Sequence, residues 1–255
     1  MKFNATNLPS RMIPYQVKEI NIKKMNPRQL ALFSESVVLE SMEPVVRAVN
    51  QLIDFDAGQL TYGDFYYILT FLRFKQRNIP YMVEWTCDGI LYERDDGRKY
   101  TEADIAQMVE AYENAEDKSV IENPAAIMLR VVACGAHNTE PVEFEDFKIH
   151  AMPEHKLDPR LDYPRASTLD SFVKALGDPS SKWLATAASW LRDGETIDDK
   201  INRVFQNEDM ETFDLATVAA RDLTHGVLQS VAKECPRCGQ VHYAKISVDA
   251  ASFFA

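Results

Sequence analysis

Two of the chain's four cysteines stand three apart near the C-terminus, as Cys235-Pro236-Arg237-Cys238 followed by Gly239. No other feature restricts the fold as sharply. A Cys-x-x-Cys turn carries two sulfurs to one ion, and zinc takes such thiolates in tetrahedral sites. Pro236 stiffens the approach, and Gly239 lets the backbone turn close to the metal. The surrounding residues read as a hairpin over 226–248 with this knuckle at its tip, half of a zinc-ribbon site. The other half must come from elsewhere.

Two single cysteines remain. In "PYMVEWTCDGILYER", Met82, Glu84 and Thr86 alternate with Val83, Trp85 and Cys87, and Asp88-Gly89 predicts a hairpin turn with Cys87 at its apex. "AAIMLRVVACGAHNTEPVEFEDFKIHAM" predicts a second hairpin whose first strand ends at Cys134, with "CGAHNTEP" as the connection. If the two are neighbours, Cys87, Cys134, Cys235 and Cys238 converge and use every cysteine in the chain. The alternative second pair is Cys134 with His137, leaving Cys87 buried and inert. His242 is close in sequence to the knuckle but falls on the strand rather than the turn. A closed four-ligand site leaves no position for water, so the expected zinc is structural rather than catalytic.

The N-terminus lacks the apolar stretch of a secretory signal, and no apolar run approaches the ~20 residues that span a bilayer. The expectation is folding in a cytosol, where thiols stay reduced and cysteines serve metals rather than disulfides. "YQVKEINIKKM" reads as an edge strand with Val17, Ile20 and Ile22 inward. Asn26-Pro27 predicts a helix start, running to about Leu39, and a second helix restarts near Ser41 carrying Val45, Val46, Val49, Leu52 and Ile53. Thr61-x-x-Asp64 predicts a capping box that opens a central buried helix, apolar on nearly every side until Arg73. Thr101-x-x-Asp104 opens an acidic helix with Ile105, Met108, Val109 and Tyr112 inward. Further helices are expected near 168–176, 180–193, 196–206 and 213–222, with Trp183, Leu184, Trp190 and Leu191 as their main apolar stripe.

The expected fold class is α+β, with helical N-terminal and C-terminal segments around β-hairpins and a zinc-ribbon-like C-terminal hairpin. The segments are 1–25, a basic extended arm with an edge strand; 26–152, an α+β region with two Cys-bearing hairpins; 153–166, a proline-rich connection; 167–225, helical; and 226–255, the Cys-x-x-Cys hairpin with a Phe-Phe tail packing back on the N-terminal half.

The net charge of −11 disfavours non-specific binding to nucleic acid. It is unevenly spread. Residues 1–28 hold six cations against Glu19 alone, a net of +5, which leaves the remainder at −16. Such an arm, with Lys18, Lys23 and Lys24, suits either its own acidic body or an acidic partner. No phosphate-binding glycine loop, G-x-S-x-G elbow or H-E-x-x-H motif occurs, and nothing in the sequence points to catalysis. A zinc-ribbon regulator that binds nucleic acid or another protein is the competing reading. It needs a basic ribbon, yet Lys233, Arg237 and Lys245 are offset by Glu234 and Asp249.

Several segments together resemble the baseplate hub and tail-assembly proteins of contractile-tailed, T-even-type bacteriophages. They are "LPSRMIPY…INIKKMNPRQL", "LTYGDFYYILTFLRFKQRNIPYMVEWTC", "LTHGV…CPRCG" and the terminal Phe253-Phe254. The likeness covers both ends of the chain and is thin from about 95 to 205. Members often carry paired cysteines in both ribbon halves, whereas Cys87 and Cys134 stand singly here, so only Cys235 and Cys238 carry over directly. The resemblance implies a non-enzymatic virion part or assembly factor, with other baseplate and tail hub proteins as partners and several copies in a symmetric assembly. It implies the tail baseplate as location, with the host cytoplasm during assembly; the acidic charge and the lack of a long apolar run argue against a nucleic-acid or membrane partner. On this reading the basic arm, Phe253 and Phe254 are docking elements; the other possibility is that both rings enter the protein's own core.

Overall fold

Asn26 and Pro27 start the first long helix as their chemistry predicts. The Asn26 side chain accepts from the Arg28 N–H, and Gln29 reaches back to the Asn26 N–H, closing a capping box ahead of α1 (Pro27–Leu39). The computed structural model describes residues 1–77, 79–177, 182–192, 194, 196–207 and 210–254. Among them the fold is α+β, with eight α-helices and small antiparallel sheets. Contacts gather the chain into two units that cut across the segments expected from sequence. The first holds 1–81, 143–229 and 247–255; the second holds 82–142 and 230–246. The proline-rich stretch 153–166 forms no helix or strand before Ala166 beyond isolated bridges at Leu161 and Arg165, and it lies wholly within the first unit.

In the first unit, β1 (Lys2–Asn4) pairs with β2 (Glu19–Asn21), placing Phe3 opposite Ile20. The N-terminus is therefore not an extended arm. Phe3, Leu8, Met12, Ile20 and Ile22 are all buried, because their apolar side chains outweigh the local positive charge. Val17, expected inward, is exposed. After α1, α2 (Glu43–Leu52) buries Val45, Val49 and Leu52. The central helix α3 (Tyr62–Phe71), prolonged by a π-helical turn to Gln76, is buried on nearly every side, as its sequence predicts. Thr61 caps it by accepting from the Asp64 N–H, but the reciprocal bond does not form. Asp64 is fully buried and accepts from the Ser10 N–H and the Tyr15 hydroxyl instead. Arg73, which sequence placed at the end of the apolar run, is also buried; its Nε donates to the Ser252 carbonyl and its Nη1 to that of Ile79.

The second unit is built from β3 (Tyr81–Thr86), β4 (Ile90–Arg94), β5 (Lys99–Tyr100), α4 (Glu102–Asn114), β6 (Leu129–Ala133) and β7 (His137–Val142). The Thr101–Asp104 capping box forms as expected. Yet α4 buries none of its residues: Ile105, Met108 and Tyr112 are half-buried and Val109 is exposed. The two expected hairpins do not form. β3 pairs with β7, while β4 lies between β5 and β6 in a separate sheet. The local turn signal at Asp88-Gly89 loses to long-range pairing, so Cys87 and Cys134 each mark a crossing between sheets rather than a hairpin apex.

The chain returns through β8 (Phe147–His150), α5 (Leu169–Leu176), α6 (Lys182–Ala188), α7 (Ile197–Asn207) and α8 (Met210–Asp222). Residues 180, 181 and 193 of the expected 180–193 helix lie outside the described residues. Trp190 and Leu191 pack with Leu161, Ile197 and Phe213 in the helical core, Leu184 is half-buried, and Trp183, expected in the stripe, is exposed. The segments "LTYGD" and "LTHGV" meet closely. A Cβ on Gly226, whose φ is 121°, would sit 2.8 Å from the Gly63 Cα, so only glycine fits. β9 (Gly226–Glu234) and β10 (Val241–Lys245) then form the one Cys-bearing hairpin that sequence placed correctly, with Val241 opposite Glu234.

Candidate metal centre

All four cysteines belong to the second unit. The β9–β10 hairpin holds its knuckle by two short-range bonds, Gly239 N–H to the Cys235 carbonyl at 2.8 Å and Cys235 N–H to the Gln240 carbonyl at 2.9 Å. Gly239 takes a positive φ of 73°. The two crossings run side by side. Cys87 N–H donates to Ala136, Gly135 N–H to Cys87, and Cys134 N–H to Gly89, which sets the two single cysteines next to each other.

The sulfurs of Cys87, Cys134, Cys235 and Cys238 all lie within 4.8 Å of one another. Cys87 and Cys238 are 3.3 Å apart, Cys134 and Cys235 3.8 Å. A disulfide would need about 2.05 Å; all four are free thiols. Zinc bound to four sulfurs at about 2.3 Å sets them about 3.8 Å apart, so the donor set and its spacing fit a tetrathiolate ion. Cys87, Cys134 and Cys235 are buried and Cys238 is half-buried. Gly89 is fitted to the same cradle, since a Cβ there would lie 2.9 Å from the Cys238 sulfur and 3.1 Å from that of Cys87.

Polar groups around the sulfurs favour thiolate. The Gly89 N–H donates to Cys87 Sγ at 3.3 Å, and the Asn138 amide approaches Cys235 Sγ at 3.8 Å. Burial alone raises the Cys235 thiol, but the Arg237 and Cys238 N–H groups outweigh it and bring the pKa down to about 6. Burial dominates at Cys87 and pushes its thiol up to about 12. Burial likewise raises Cys238. A cation is what would ionise the set together.

His137, the alternative ligand, is exposed at the start of β7 and stands outside the cluster. His242, on β10 as expected, nonetheless reaches the cluster from its strand position. Its Nε2 lies 3.2 Å from Cys87 Sγ and its Nδ1 3.3 Å from an Asp88 carboxylate oxygen, so the ring bridges a ligand sulfur and an acid. Outside the cluster, Lys18, Lys23 and Lys24 are exposed. The Phe-Phe tail divides: Phe254 is 49% exposed, whereas Phe253 is 0% exposed and stacks on Phe33 with ring centroids 4.0 Å apart. Phe253 is therefore a core residue and not a docking element. Searches of protein-family models, curated proteins and solved structures each return no match to this chain.

Proposed function

We propose that the chain is a tail-baseplate assembly protein of contractile-tailed bacteriophages, acting through protein–protein contacts and carrying a structural zinc on Cys87, Cys134, Cys235 and Cys238. The observation that supports the metal is the convergence of four sulfurs from three separate stretches of chain. The phage setting rests on the sequence resemblance. A tetrathiolate fills the coordination sphere of zinc, so the ion holds segments together and activates no water. Lys18, Lys23, Lys24 and Phe254 remain available as surface contacts for neighbouring hub proteins. Among the described residues, no helix is long and apolar enough to cross a membrane.

Two measurements test the two halves separately. Elemental analysis of the purified protein should find one zinc per chain, and cobalt substitution should give the intense sulfur-to-metal absorption of a tetrathiolate. Less than stoichiometric metal after refolding with zinc refutes the centre. Mass spectrometry of purified virions and of infected-cell lysates should find the chain with tail intermediates. Absence from both overturns the phage setting, while presence in lysate intermediates alone identifies a factor that leaves after assembly.

A further inference from the structure

A cavity of about 230 Å³ opens in the first unit, lined by α3, α5, α6 and the turn after α8. It is smaller than the ~300–1,000 Å³ sites that take drug-sized ligands, so its occupant is small. Aromatic rings supply most of the wall. Tyr62 and Tyr66 stand one turn apart on α3, Phe172 comes from α5, and Trp190 follows the end of α6. Tyr62 and Phe172 meet with ring centroids 4.8 Å apart and planes inclined by 40°. Among the described residues, no lysine, arginine, aspartate or glutamate lines the cavity.

The hydroxyl protons of the wall are already engaged. The Thr186, Ser189 and Thr224 hydroxyls donate to the carbonyls of Lys182, Thr186 and Ala220. Thr168 gives its proton to the Arg165 carbonyl, so the Tyr62 hydroxyl is the donor to Thr168. His225 Nδ1 faces the Leu223 carbonyl and carries the proton there, so the neutral ring accepts at Nε2 from the Thr61 hydroxyl at 2.7 Å. Burial holds the His225 pKa below its usual value, so the ring adds no positive charge at neutral pH. These oxygens have only lone pairs left to offer. The Tyr66 hydroxyl and the Trp190 indole N–H are the lining side-chain donors without a protein partner among the described residues.

Backbone dipoles favour positive charge there as well. Ser189 and Trp190 follow the C-terminal end of α6, and Thr224 and His225 that of α8, where partial negative charge gathers. The N-terminal end of α3 would act the other way, but its first turn holds Asp64. That buried carboxylate is met by the Ser10 N–H and the Tyr15 hydroxyl rather than by a cation.

We infer that the cavity binds a small quaternary ammonium cation of the choline class, held by cation–π attraction to Tyr62, Tyr66, Phe172 and Trp190. An anion would find no cation in this wall. A primary ammonium is strongly hydrated and would bring N–H donors to a wall without a carboxylate. A methylated ammonium carries its charge under an apolar surface that aromatic rings cover. The two free donors suit the hydroxyl oxygen that choline carries. This inference rests on neither the metal nor the phage setting.

Isothermal titration of the zinc-loaded full chain with choline chloride should give a dissociation constant of about 0.1–1 mM. The uncharged alcohol in which carbon replaces the choline nitrogen has the same shape, and it should bind about tenfold more weakly, as should ethanolamine. Phe172→Leu removes a ring and keeps apolar bulk. With circular dichroism unchanged, it should weaken choline by about 3–30-fold and leave the uncharged alcohol as before. Tyr66→Leu is the second ring deletion and should give the same loss. No heat at about 10 mM choline overturns the inference. Equal binding of choline and the uncharged alcohol overturns it too, since the cavity is then a general apolar site. Choline binding that survives both ring deletions removes these rings from the site and overturns it equally.

Discussion

Replacing Phe253 with alanine tests where the chain's last apolar residues belong. The side chain is fully buried, stacked on Phe33, and carried on a short helical turn that Arg73 holds by its bond to the Ser252 carbonyl. Losing its transfer from water removes about 1.5–3 kcal/mol. The lost ring pair and the unfilled space beside Phe33 bring the total for Phe253→Ala to about 3–5 kcal/mol. Phe254→Ala, at a half-exposed ring, should cost about 0.5 kcal/mol or less. Urea unfolding of the zinc-loaded chain, followed by tryptophan fluorescence, separates the two. With a slope of about 2–3 kcal/mol per molar, the midpoint should fall by 1–2 M for Phe253→Ala and stay in place for Phe254→Ala. Trp183 and Trp190 report on the same unit as Phe253, and Trp85 on the other, so the shift should appear in the phase of the first pair. An unmoved midpoint for Phe253→Ala refutes the core assignment and returns both rings to the surface.

Three further outcomes concern the sulfur cluster. His242→Ala removes the ring between Cys87 and Asp88, and competition with a chelator should show zinc held about 10-fold more weakly. Gly89→Ala puts a methyl 2.9 Å from the Cys238 sulfur, so cobalt-loaded protein should show weakened or shifted sulfur-to-metal bands; an unchanged spectrum would mean that the crossing relaxes freely. Acid should release the metal. Cys87 is held up to about 12, so at neutral pH zinc must displace its proton, and affinity falls about tenfold per pH unit for each proton displaced. Below about pH 6 Cys235 also protonates as its depressed pKa is crossed, so a titration of zinc release should steepen there.

Features encoded within four residues were legible in the sequence. Asn26 with Pro27 and Thr101 with Asp104 carry their helix starts in their own side chains. The Cys235–Cys238 knuckle is equally local, and the shortage of other thiols pointed to Cys87 and Cys134. Strand partners were not legible, because pairing depends on residues about fifty positions away. Asp88-Gly89 has the composition of a hairpin turn, but here Gly89 serves the close approach of two sulfurs while β3 pairs with β7. Asp64 read only as a capping residue and Arg73 only as the end of an apolar run, because partners such as Ser10, Tyr15 and Ser252 come from distant parts of the chain. The Phe-Phe tail could not be divided from sequence, since two adjacent rings of equal hydrophobicity differ only in the direction the last turn gives them.

The position of the cysteines also explains why this chain would need a metal at all. The second unit has roughly 80 residues, a size at which a hydrophobic core alone contributes little. Its buried cluster is Cys87, Leu91, Cys134 and Cys235, with Val132, Ala136 and Cys238 against it. Four of these seven are cysteines, and α4 adds no buried side chain. Meanwhile Ile90, Val120, Met128 and Val131 of the same unit lie exposed. Val83, Val142, Val231 and Ile246 are buried in this unit as well, but a core of this size leaves little margin over the backbone entropy of ordering two crossings and a hairpin. Without a cation, burial raises the Cys87 and Cys238 thiols and holds them protonated. With zinc, the same four side chains become the strongest bonds in the unit, and the binding free energy acts as folding free energy. The metal would then add directly to the stability of the second unit. That is why residues as far apart as Cys87 and Cys238 are required to meet there.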